Sequence, residues 1–374
     1  MPTVLLAGAF GQRNPGDEAL LDAFLRTLPE WRVVVTSSEA ALTTATHNCE
    51  AVHSRDPGAV GRALLSADAV VFAGGTVFKT LHQSSSRPAH GLLRRALLLA
   101  ATARLTGKPV ALVGVGVGSL PDAQARWLAR ALVRRSDLLV LRDEESAHAL
   151  AAVGAPVPFR VGADPAWTLF NGPPPSRAQQ RDTVVVALSI FAGGDNLADR
   201  LAAALQPIVD SGTRVELQPW QGSDPLGGDG GLARAIAARL GSRVSISAPP
   251  IDLEDARNRM TGARLAVCLR FHAIVAAAAA GTPLVAIAHE PKLAGLARRL
   301  HQPTVPVTAD PAEIATTILG GLDVEPTSPT AVRVEIARAE ESLRLLRLVL
   351  TRGAAYELDR FDGLSLEPAP WAAT

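Results

Sequence analysis

Short apolar runs alternate with amphipathic stretches along the first half of the chain. The runs are too short to be helices, whereas the stretches between them repeat apolar residues at helical spacing. The runs are Val4–Ala7, Arg32–Thr36, Ala69–Ala73, Pro109–Val113, Leu138–Leu141 and Phe159–Val161, and the helical stretches include Glu18–Thr27, Leu92–Thr106 and Pro121–Arg135. This alternation predicts βαβ units and a mostly parallel sheet.

A proline-rich segment, Asn171–Arg181, interrupts the alternation and has the composition of a domain linker. The alternation resumes after it in the runs Thr183–Ser189, Arg214–Gln218, Arg243–Ser247, Leu265–Leu269 and Pro283–Ala288. We therefore predict an N-terminal Rossmann-like domain over residues 1–172 and a second one over 173–330. In residues 331–374 we predict a helix that packs across both domains, followed by an extended tail.

Composition agrees with two globular domains and excludes several classes of protein. The chain has 374 residues, 48% of them hydrophobic and 20% charged. Its net charge of +1 argues against a nucleic-acid partner. Cys49 and Cys268 are far apart and outside any C-x-x-C pattern, so we expect neither a disulfide framework nor structural zinc, which fits the cytoplasm.

Two other stretches carry predictions of their own. The apolar run within Met1–Ala7 is far shorter than the roughly 20 residues that span a bilayer, so we expect no signal peptide or anchor. The glycine-rich stretch Gly222–Gly231 is predicted to be a mobile loop.

Glycine-rich turns follow several predicted strands, where open α/β sheets bind their ligands. Gly8–Gly11 and then Asn14–Glu18 lead into a helix whose amides could hold an anion, although a glycine-rich turn with Asp17 as helix cap explains them equally. Gly74–Thr76 and Gly114–Ser119 follow later strands and allow close approach of a ligand. None matches G-x-G-x-x-G or the phosphate-loop motif, which argues against a standard NAD or ATP site.

Arg142 stands where the fifth predicted strand passes into a helix, and three carboxylates follow it. Its guanidinium could clamp a carboxylate or phosphate through two hydrogen bonds. Alternatively, it pairs with Asp143 or Glu145 and merely stabilises the start of the helix. The sequence leaves both interpretations open.

The segment from Leu265 to Leu300 concentrates the most chemistry. One strand delivers Arg270 and His272 to the start of an alanine-rich helix, and the next strand delivers Lys292. In a βαβ unit both strand ends lie at one edge of the sheet, so these three side chains could surround one ligand. A helix N-terminus with these groups suits a small, multiply charged anion that needs a proton delivered. The alternative is that His272 only caps its helix and Lys292 is solvated.

Metal chemistry finds no support in the sequence. His289-Glu290 lacks the second histidine of a zincin, and no D-x-D motif occurs, so no metal is implied. The G-x-S-x-G elbow of a serine nucleophile is absent as well.

Of the 37 basic residues only Lys79, Lys108 and Lys292 are lysine, so a lysine in a polar loop is a candidate for a specific role.

Six short motifs occur one after another within about residues 1–300. They are Gly8–Gly11 with Asn14-x-Gly16-Asp17-Glu18, Gly74-Gly75-Thr76, Arg142-Asp143-x-x-Ser146, Ala163-Asp164-Pro165-Ala166, Arg270-Phe271-His272 and His289-Glu290-Pro291-Lys292. Together they resemble the polysaccharide pyruvyl transferases, particularly the bacterial cell-wall (CsaB-like) type. The chain departs from the family pattern at Ala73, where a glycine is usual, at Phe271, where leucine is common, and at His289, where an aromatic residue is typical.

This resemblance implies a glycosyltransferase-B-like pair of Rossmann-like domains facing a cleft. It also implies transfer of the pyruvyl group of phosphoenolpyruvate to two hydroxyls of a sugar in a cell-envelope glycan or its precursor, forming a cyclic ketal and releasing phosphate without a cofactor. By motif, Arg142, His272 and Lys292 would be catalytic and would bind phosphoenolpyruvate, together with Arg270 and Glu290. For the acceptor we expect loops of the first domain, at Gly11, Asn14, Asp17, Gly74, Gly75 and Thr76.

Two other functions remain compatible with the sequence: a nucleotide-sugar glycosyltransferase of the same fold, and a non-catalytic sugar- or anion-binding relative. The expected partners are phosphoenolpyruvate and a sugar on a lipid or nucleotide carrier, with no nucleic acid and no membrane span. The sequence leaves open a peripheral association with the inner face of the membrane and a homo-oligomer. It does not identify the acceptor sugar.

Overall fold

The computed structural model describes residues 1–80, 88–154, 158–172, 181–193, 196–221 and 227–352. Its strands form two sheets in which every pairing is parallel, so the predicted fold class is confirmed. The first sheet has the order β3-β2-β1-β4-β5-β6-β7, and the second has the order β10-β9-β8-β11-β12-β13.

The first sheet is built from the N-terminal half of the chain. Its strands are β1 (Thr3–Phe10), β2 (Arg32–Ser37), β3 (Glu50–His53), β4 (Ala69–Ala73), β5 (Val110–Val115), β6 (Leu138–Leu141) and β7 (Arg160–Val161). The helices between them are α1 (Pro15–Thr27), α2 (Ala40–His47), α3 (Pro57–Ser66), α4 (Gly91–Leu105), α5 (Ala123–Val133) and α6 (Glu144–Ala152), and a 3-10 helix, Pro165–Phe170, follows β7.

The second sheet is built from the C-terminal half. Its strands are β8 (Arg181–Ala187), β9 (Arg214–Gln218), β10 (Val244–Ile246), β11 (Ala263–Cys268), β12 (Leu284–Ala288) and β13 (Thr304–Pro306). The helices are α7 (Leu197–Asp210), α8 (Gly228–Leu240), α9 (Leu253–Met260), α10 (Phe271–Ala279), α11 (Pro291–Arg299), α12 (Pro311–Gly321) and α13 (Pro329–Arg352), with a short 3-10 helix at Ile190–Ala192.

Successive residues of the central strands face opposite sides of each sheet, and both sides are buried. In β1, Val4 and Leu6 pack into one apolar cluster, while Leu5 packs into another. This explains why these strands read as continuous apolar runs rather than as alternating ones. The cluster that contains Val4 extends to Val185 in β8, so one hydrophobic core is shared by the two halves.

Two strands escaped prediction, and both are edge strands. β3 (Glu50–His53) carries a glutamate and a histidine at its ends, and β13 (Thr304–Pro306) is three residues long with a proline before and within it. Short, partly polar strands are typical of sheet edges, where only one neighbour must be paired. Their sequences therefore lack the apolar run that marks the central strands.

Predicted boundaries differ from the structure at several elements, and two of these differences bear on the site. Helix α1 begins at Pro15 rather than Glu18, because the Asn14 side chain accepts a hydrogen bond from Gly16 N and caps the helix. Helix α8 begins at Gly228, so the predicted mobile loop Gly222–Gly231 is helical at its end. Residues 222–226 of that loop, residues 173–180 of the predicted linker and the predicted tail from 353 onward lie outside the described residues.

Helix α13 returns to the first half of the chain after the second sheet is complete. It packs against the Pro165–Phe170 helix and against β5 and α1. Its Glu335 also accepts a hydrogen bond from Arg299 of α11 at 3.0 Å, which links it to the second half. Among the described residues, no helix is both long and apolar enough to cross a membrane.

Candidate active site

Arg142 lies buried at the carboxyl end of β6, with the carboxylates of Asp143 and Asp164 beside it. Its Nε donates to Asp143 Oδ2 at 3.0 Å, and its Nη1 lies 3.6 Å from Asp164 Oδ2. The guanidinium carbon also lies 4.3 Å from the centre of the Phe271 ring, which comes from the second domain. The ion pair with Asp143 is therefore present, whereas Glu145 pairs with Arg298 and Arg299 instead.

Arg142 and Lys292 approach the same point from opposite domains. A Cβ atom at Gly116 would lie 2.7 Å from Arg142 Nη2 and 3.4 Å from Thr76 Oγ1, so a side chain at this position would displace the arginine. Lys292 Nζ donates to the same Thr76 hydroxyl at 3.3 Å. The ends of β4 and β5 thus form a floor over which a guanidinium and an ammonium converge.

Lys292 is held in the first turn of α11 rather than extended into solvent. It forms an ion pair with Glu290, whose other oxygen lies 3.8 Å from Lys79 Nζ. Burial lowers the pKa of Lys292, helped by the positive charge of Arg142 and opposed by Glu290. Burial alone would raise the pKa of Glu290, but Lys292 and Lys79 outweigh it and bring this pKa to about 2. Glu290 is therefore ionised at neutral pH.

His272 lies in the first turn of α10, and its ring packs against the first turn of α1. A Cβ atom at Gly16 would overlap the imidazole, so glycine at this position is what allows the two domains to meet here. His272 Nε2 lies 3.4 Å from Asp164 Oδ2, and the ring is buried. The N-cap position of α10 belongs to Arg270, so His272 does not serve as the helix cap.

Arg270 is engaged within the second domain. Its Nε donates to Leu188 O at 2.8 Å, and its Nη2 pairs with the buried carboxylate of Asp229. Asp229 also accepts from three backbone amides, those of Ile190 at 2.7 Å, Trp220 at 3.1 Å and Gln221 at 3.0 Å. Arg270 and Asp229 thereby tie the ends of β8, β9 and β11 together.

The residues predicted for the acceptor divide between two places. Thr76 and Asp17 lie with the residues predicted to bind the donor, and Asn14 Nδ2 donates to Asp17 Oδ2 at 2.8 Å. Burial raises the pKa of Asp17, an effect that the nearby charge of His272 opposes. Gly74 and Gly75 have positive φ angles of 63° and 68°, which favour glycine and form the turn that presents Thr76.

Gly11 lies apart, at a cavity of about 250 Å³ on the other side of the Asn14–Asp17 turn. Glu18 and His47 line this cavity from the first domain, and Pro249–Ile251 lines it from the second. Burial disfavours protonation of His47, but Asp22 and Glu18 outweigh it and raise its pKa to about 9. The predicted acceptor loop therefore has a face toward His272 and a face away from it.

The sequence assigned no role to several residues that complete the site. Asp164 follows β7 and stands before a proline, which reads as a helix cap, and its Oδ1 does accept from Ala166 N at 3.0 Å. Gly16 leaves room for His272 across the cleft, and Gly116 leaves room for Arg142 within the first domain, so both requirements depend on contacts between distant segments of the chain. Lys79 did carry a signal, because it is one of only three lysines.

These features define a two-domain α/β protein with a cluster of paired basic and acidic side chains where the two domains meet, and solved structures share the fold. The UDP-GlcNAc 2-epimerase of Methanocaldococcus jannaschii, solved with UDP-GlcNAc and UDP, is 13% identical with a TM-score of 0.60, over 94% of this chain and 100% of that one. Anabaena Alr3699/HepE, solved with UDP and glucose, is 14% identical with a TM-score of 0.62, over 94% and 100%. At such identities the likeness shows the glycosyltransferase-B-like fold alone.

The family profile described as polysaccharide pyruvyl transferase matches residues 14–291, which is more than half of the chain. The protein therefore belongs to the polysaccharide pyruvyl transferase family, and the resemblance found in the sequence is confirmed. A search of curated proteins found no significant match.

Proposed function

We propose that this protein transfers the pyruvyl group of phosphoenolpyruvate to two hydroxyls of one sugar in a cell-envelope glycan or its precursor. The observation that carries the proposal is the convergence of Arg142, His272 and Lys292 on one interdomain cleft. Phosphoenolpyruvate carries a phosphate and a carboxylate on three carbons, so it needs two cations close together and a proton donor beside them. Family membership and this arrangement support the same reaction.

The reaction requires one protonation and two additions. The methylene carbon C3 gains a proton, which makes C2 electrophilic, and the first sugar hydroxyl adds there. The bond from C2 to the phosphate oxygen then breaks, and the second hydroxyl closes the ketal ring. The two hydroxyls release two protons, of which one balances the proton gained at C3 and the other leaves with phosphate.

Each charged residue has a defined task in this scheme. Arg142 and Lys292 bind the phosphate and carboxylate of the donor, and the guanidinium offers the two-pronged geometry that such groups favour. His272 exchanges protons with the substrate as general acid at C3 or as base toward the attacking hydroxyl. Arg270 supports them indirectly, because its pair with Asp229 fixes the start of the helix that carries His272.

Asp17 is a better candidate than Glu290 for the base that deprotonates the acceptor. The low pKa of Glu290, about 2, and its pairing with Lys292 make it a weak base that is already occupied. Burial raises the pKa of Asp17, which strengthens it as a base, and Asp17 lies in the α1 turn beside His272. The predicted acceptor loop thus contributes directly to the chemistry.

We place the reaction in the cytoplasm, on a sugar carried by a lipid or a nucleotide, as in the cell-wall (CsaB-like) type. A lipid-linked acceptor would bring the enzyme to the inner face of the membrane. N-acetylmannosamine, glucose and galactose units are the acceptors to test first.

A nucleotide-sugar glycosyltransferase is the nearest alternative, since the structural neighbours were solved with uridine nucleotides. That function would need an acidic residue free to bind a ribose, and Glu290 is instead paired with Lys292 and Lys79. Thermal-shift measurements separate the two: pyruvyl transfer predicts stabilisation by phosphoenolpyruvate and none by uridine or guanosine diphosphate.

The decisive experiment combines phosphate release with mass spectrometry of the acceptor. The purified chain is incubated with phosphoenolpyruvate and each lipid- or nucleotide-linked sugar, and we expect phosphate in equal amount to an acceptor that has gained a pyruvate ketal. His272→Ala should reduce both to a small residual rate, whereas Arg344→Ala, in an exposed pair with Glu341, should leave both unchanged. Turnover at the wild-type rate in His272→Ala would remove histidine from the mechanism. A folded protein without phosphate release on any acceptor would favour the non-catalytic alternative.

A further inference from the structure

Asp164 is the only one of the site's buried carboxylates, within the described residues, that lies between Arg142 and His272. Its Oδ1 is occupied by the amide of Ala166, and its Oδ2 lies 3.4 Å from His272 Nε2 and 3.6 Å from Arg142 Nη1. In the part of the chain that the structure describes, neither Asp164 Oδ2 nor His272 Nε2 has a hydrogen-bond partner of good geometry. Both atoms are fully buried, so each costs free energy while it has no partner, and at 3.4 Å each is placed to serve as the partner of the other.

The charge balance of this cluster points the same way. Arg142 provides one positive charge to two buried carboxylates, Asp143 and Asp164. Asp143 already accepts hydrogen bonds from Nε of Arg142 and from the amide of Ser146. A protonated His272 would restore neutrality beside Asp164, and His272 with Arg142 does hold the pKa of Asp164 below its usual range although burial favours the acid.

We propose that Asp164 is a positioning residue that holds the proton of His272 on Nε2 and so leaves Nδ1 to exchange protons with the substrate. This rests on the proposed function, in which His272 is the general acid or base. A carboxylate that accepts from one ring nitrogen fixes both the tautomer and the orientation of an imidazole. Nδ1 faces the first turn of α1 at Gly16, on the side where Asp17 lies. Because Asp164 belongs to the first domain and His272 to the second, His272 is held in this tautomer only when the two domains are in contact.

Asp164→Asn is the sharpest variant, because the amide keeps an oxygen for Ala166 N but faces His272 without a charge. We expect kcat to fall about 100-fold, the scale of general acid–base catalysis. The KM for phosphoenolpyruvate should change little. Asp17 is the other carboxylate near His272, so kcat and KM are also measured in Asp17→Asn to separate the two.

Asp22→Asn is the matched control, since Asp22 lies 2.7 Å from the ring of His47, outside the site. It makes the same chemical change beside a histidine and should leave kcat unchanged. In a His272→Gln background, Asp164→Asn should lower the residual rate by less than about threefold, because the two residues act as a unit. A structural role for Asp164 would give the full loss in both backgrounds.

Nuclear magnetic resonance of the wild-type chain tests the proposal without turnover. With the His272 signals assigned by comparison with His272→Gln, we expect the proton of the neutral ring on Nε2. A proton on Nδ1 would overturn the proposal even if pyruvyl transfer is confirmed. A raised KM with unchanged kcat in Asp164→Asn would also overturn it, since Asp164 would then serve Arg142 alone. Absence of pyruvyl transfer in the wild type would reject the proposed function and leave the tautomer result standing.

Discussion

Arg142 and Arg270 both stand where a strand passes into a helix, one in each domain, and they have different surroundings. Each follows a buried strand and precedes a helix at the carboxyl edge of its sheet. Arg270 is held by Asp229 and by the Leu188 carbonyl, all within its own domain. Arg142 makes one bond to Asp143, is 3.6 Å from Asp164 and lies against Phe271 across the cleft.

The surroundings of an arginine, and not its position in the sequence, therefore decide what it can bind. The Asp229 carboxylate is matched to Arg270 and to three amides, which makes a closed network. The space beside Arg142 Nη2 is kept open by Gly116 and faces Thr76 and Lys292. We therefore expect Arg142 to bind the donor and Arg270 to stabilise the second domain.

Arg142→Lys should have the largest effect of the three substitutions, and it should act on catalysis. An ammonium cannot hold Asp143 and also offer two parallel donors to a ligand, so kcat/KM for phosphoenolpyruvate should fall about 1,000-fold. Steady-state phosphate release measures it, with circular dichroism to show that the fold is retained. A variant that keeps near wild-type kcat/KM would make Arg142 another structural arginine.

Asp229→Asn should have an intermediate effect, and it should lower the stability of the protein rather than its activity. It leaves Arg270 without its buried counter-charge and weakens three amide contacts, so the free energy of unfolding should fall by about 2 kcal/mol. Urea denaturation measures this loss, and the matched exposed change Asp199→Asn, which affects the pair with Arg239, should cost far less. A tenfold higher KM for phosphoenolpyruvate with unaltered stability would instead place Arg270 at the donor.

Glu290→Gln should have the smallest effect and concerns the pH dependence of stability. The folded-state pKa of about 2 is below the ordinary value of 4.5, so Glu290 stabilises the protein above about pH 4.5 and this contribution is lost as the pH falls toward 2. Because the side chain is one-third exposed, we expect less than about 1 kcal/mol. Unfolding of both proteins at pH 6 and pH 3 should show a difference that shrinks at the lower pH. A difference that stays constant with pH would mean that the charge of Glu290 does not contribute to the stability of the protein.

Much of the fold follows from local pattern. The central strands are buried on both sides, so each had to be a continuous apolar run, and that requirement is visible residue by residue from Val4 to Ala288. Strands β3 and β13 carry no such requirement at the edges, which is why their short sequences gave no signal. The start of α8 at Gly228 was hidden for another reason. Glycine is a poor helix former, and the helix start is held by Asp229, whose partners lie in the segments that follow β8 and β9.

The two parallel sheets, the family and the residue types at the strand ends were all predictable from the amino-acid sequence, because these depend on periodicity and on short motifs. Which of those residues meet depends on how the two domains pack. Arg142, Asp164 and His272 come from different strands and two domains, and no local spacing encodes a distance of 3.4 Å across a cleft. The need for glycine at Gly16 and Gly116 likewise arises from a neighbour in another segment, since excluded volume acts between atoms that are close in space wherever they stand in the chain.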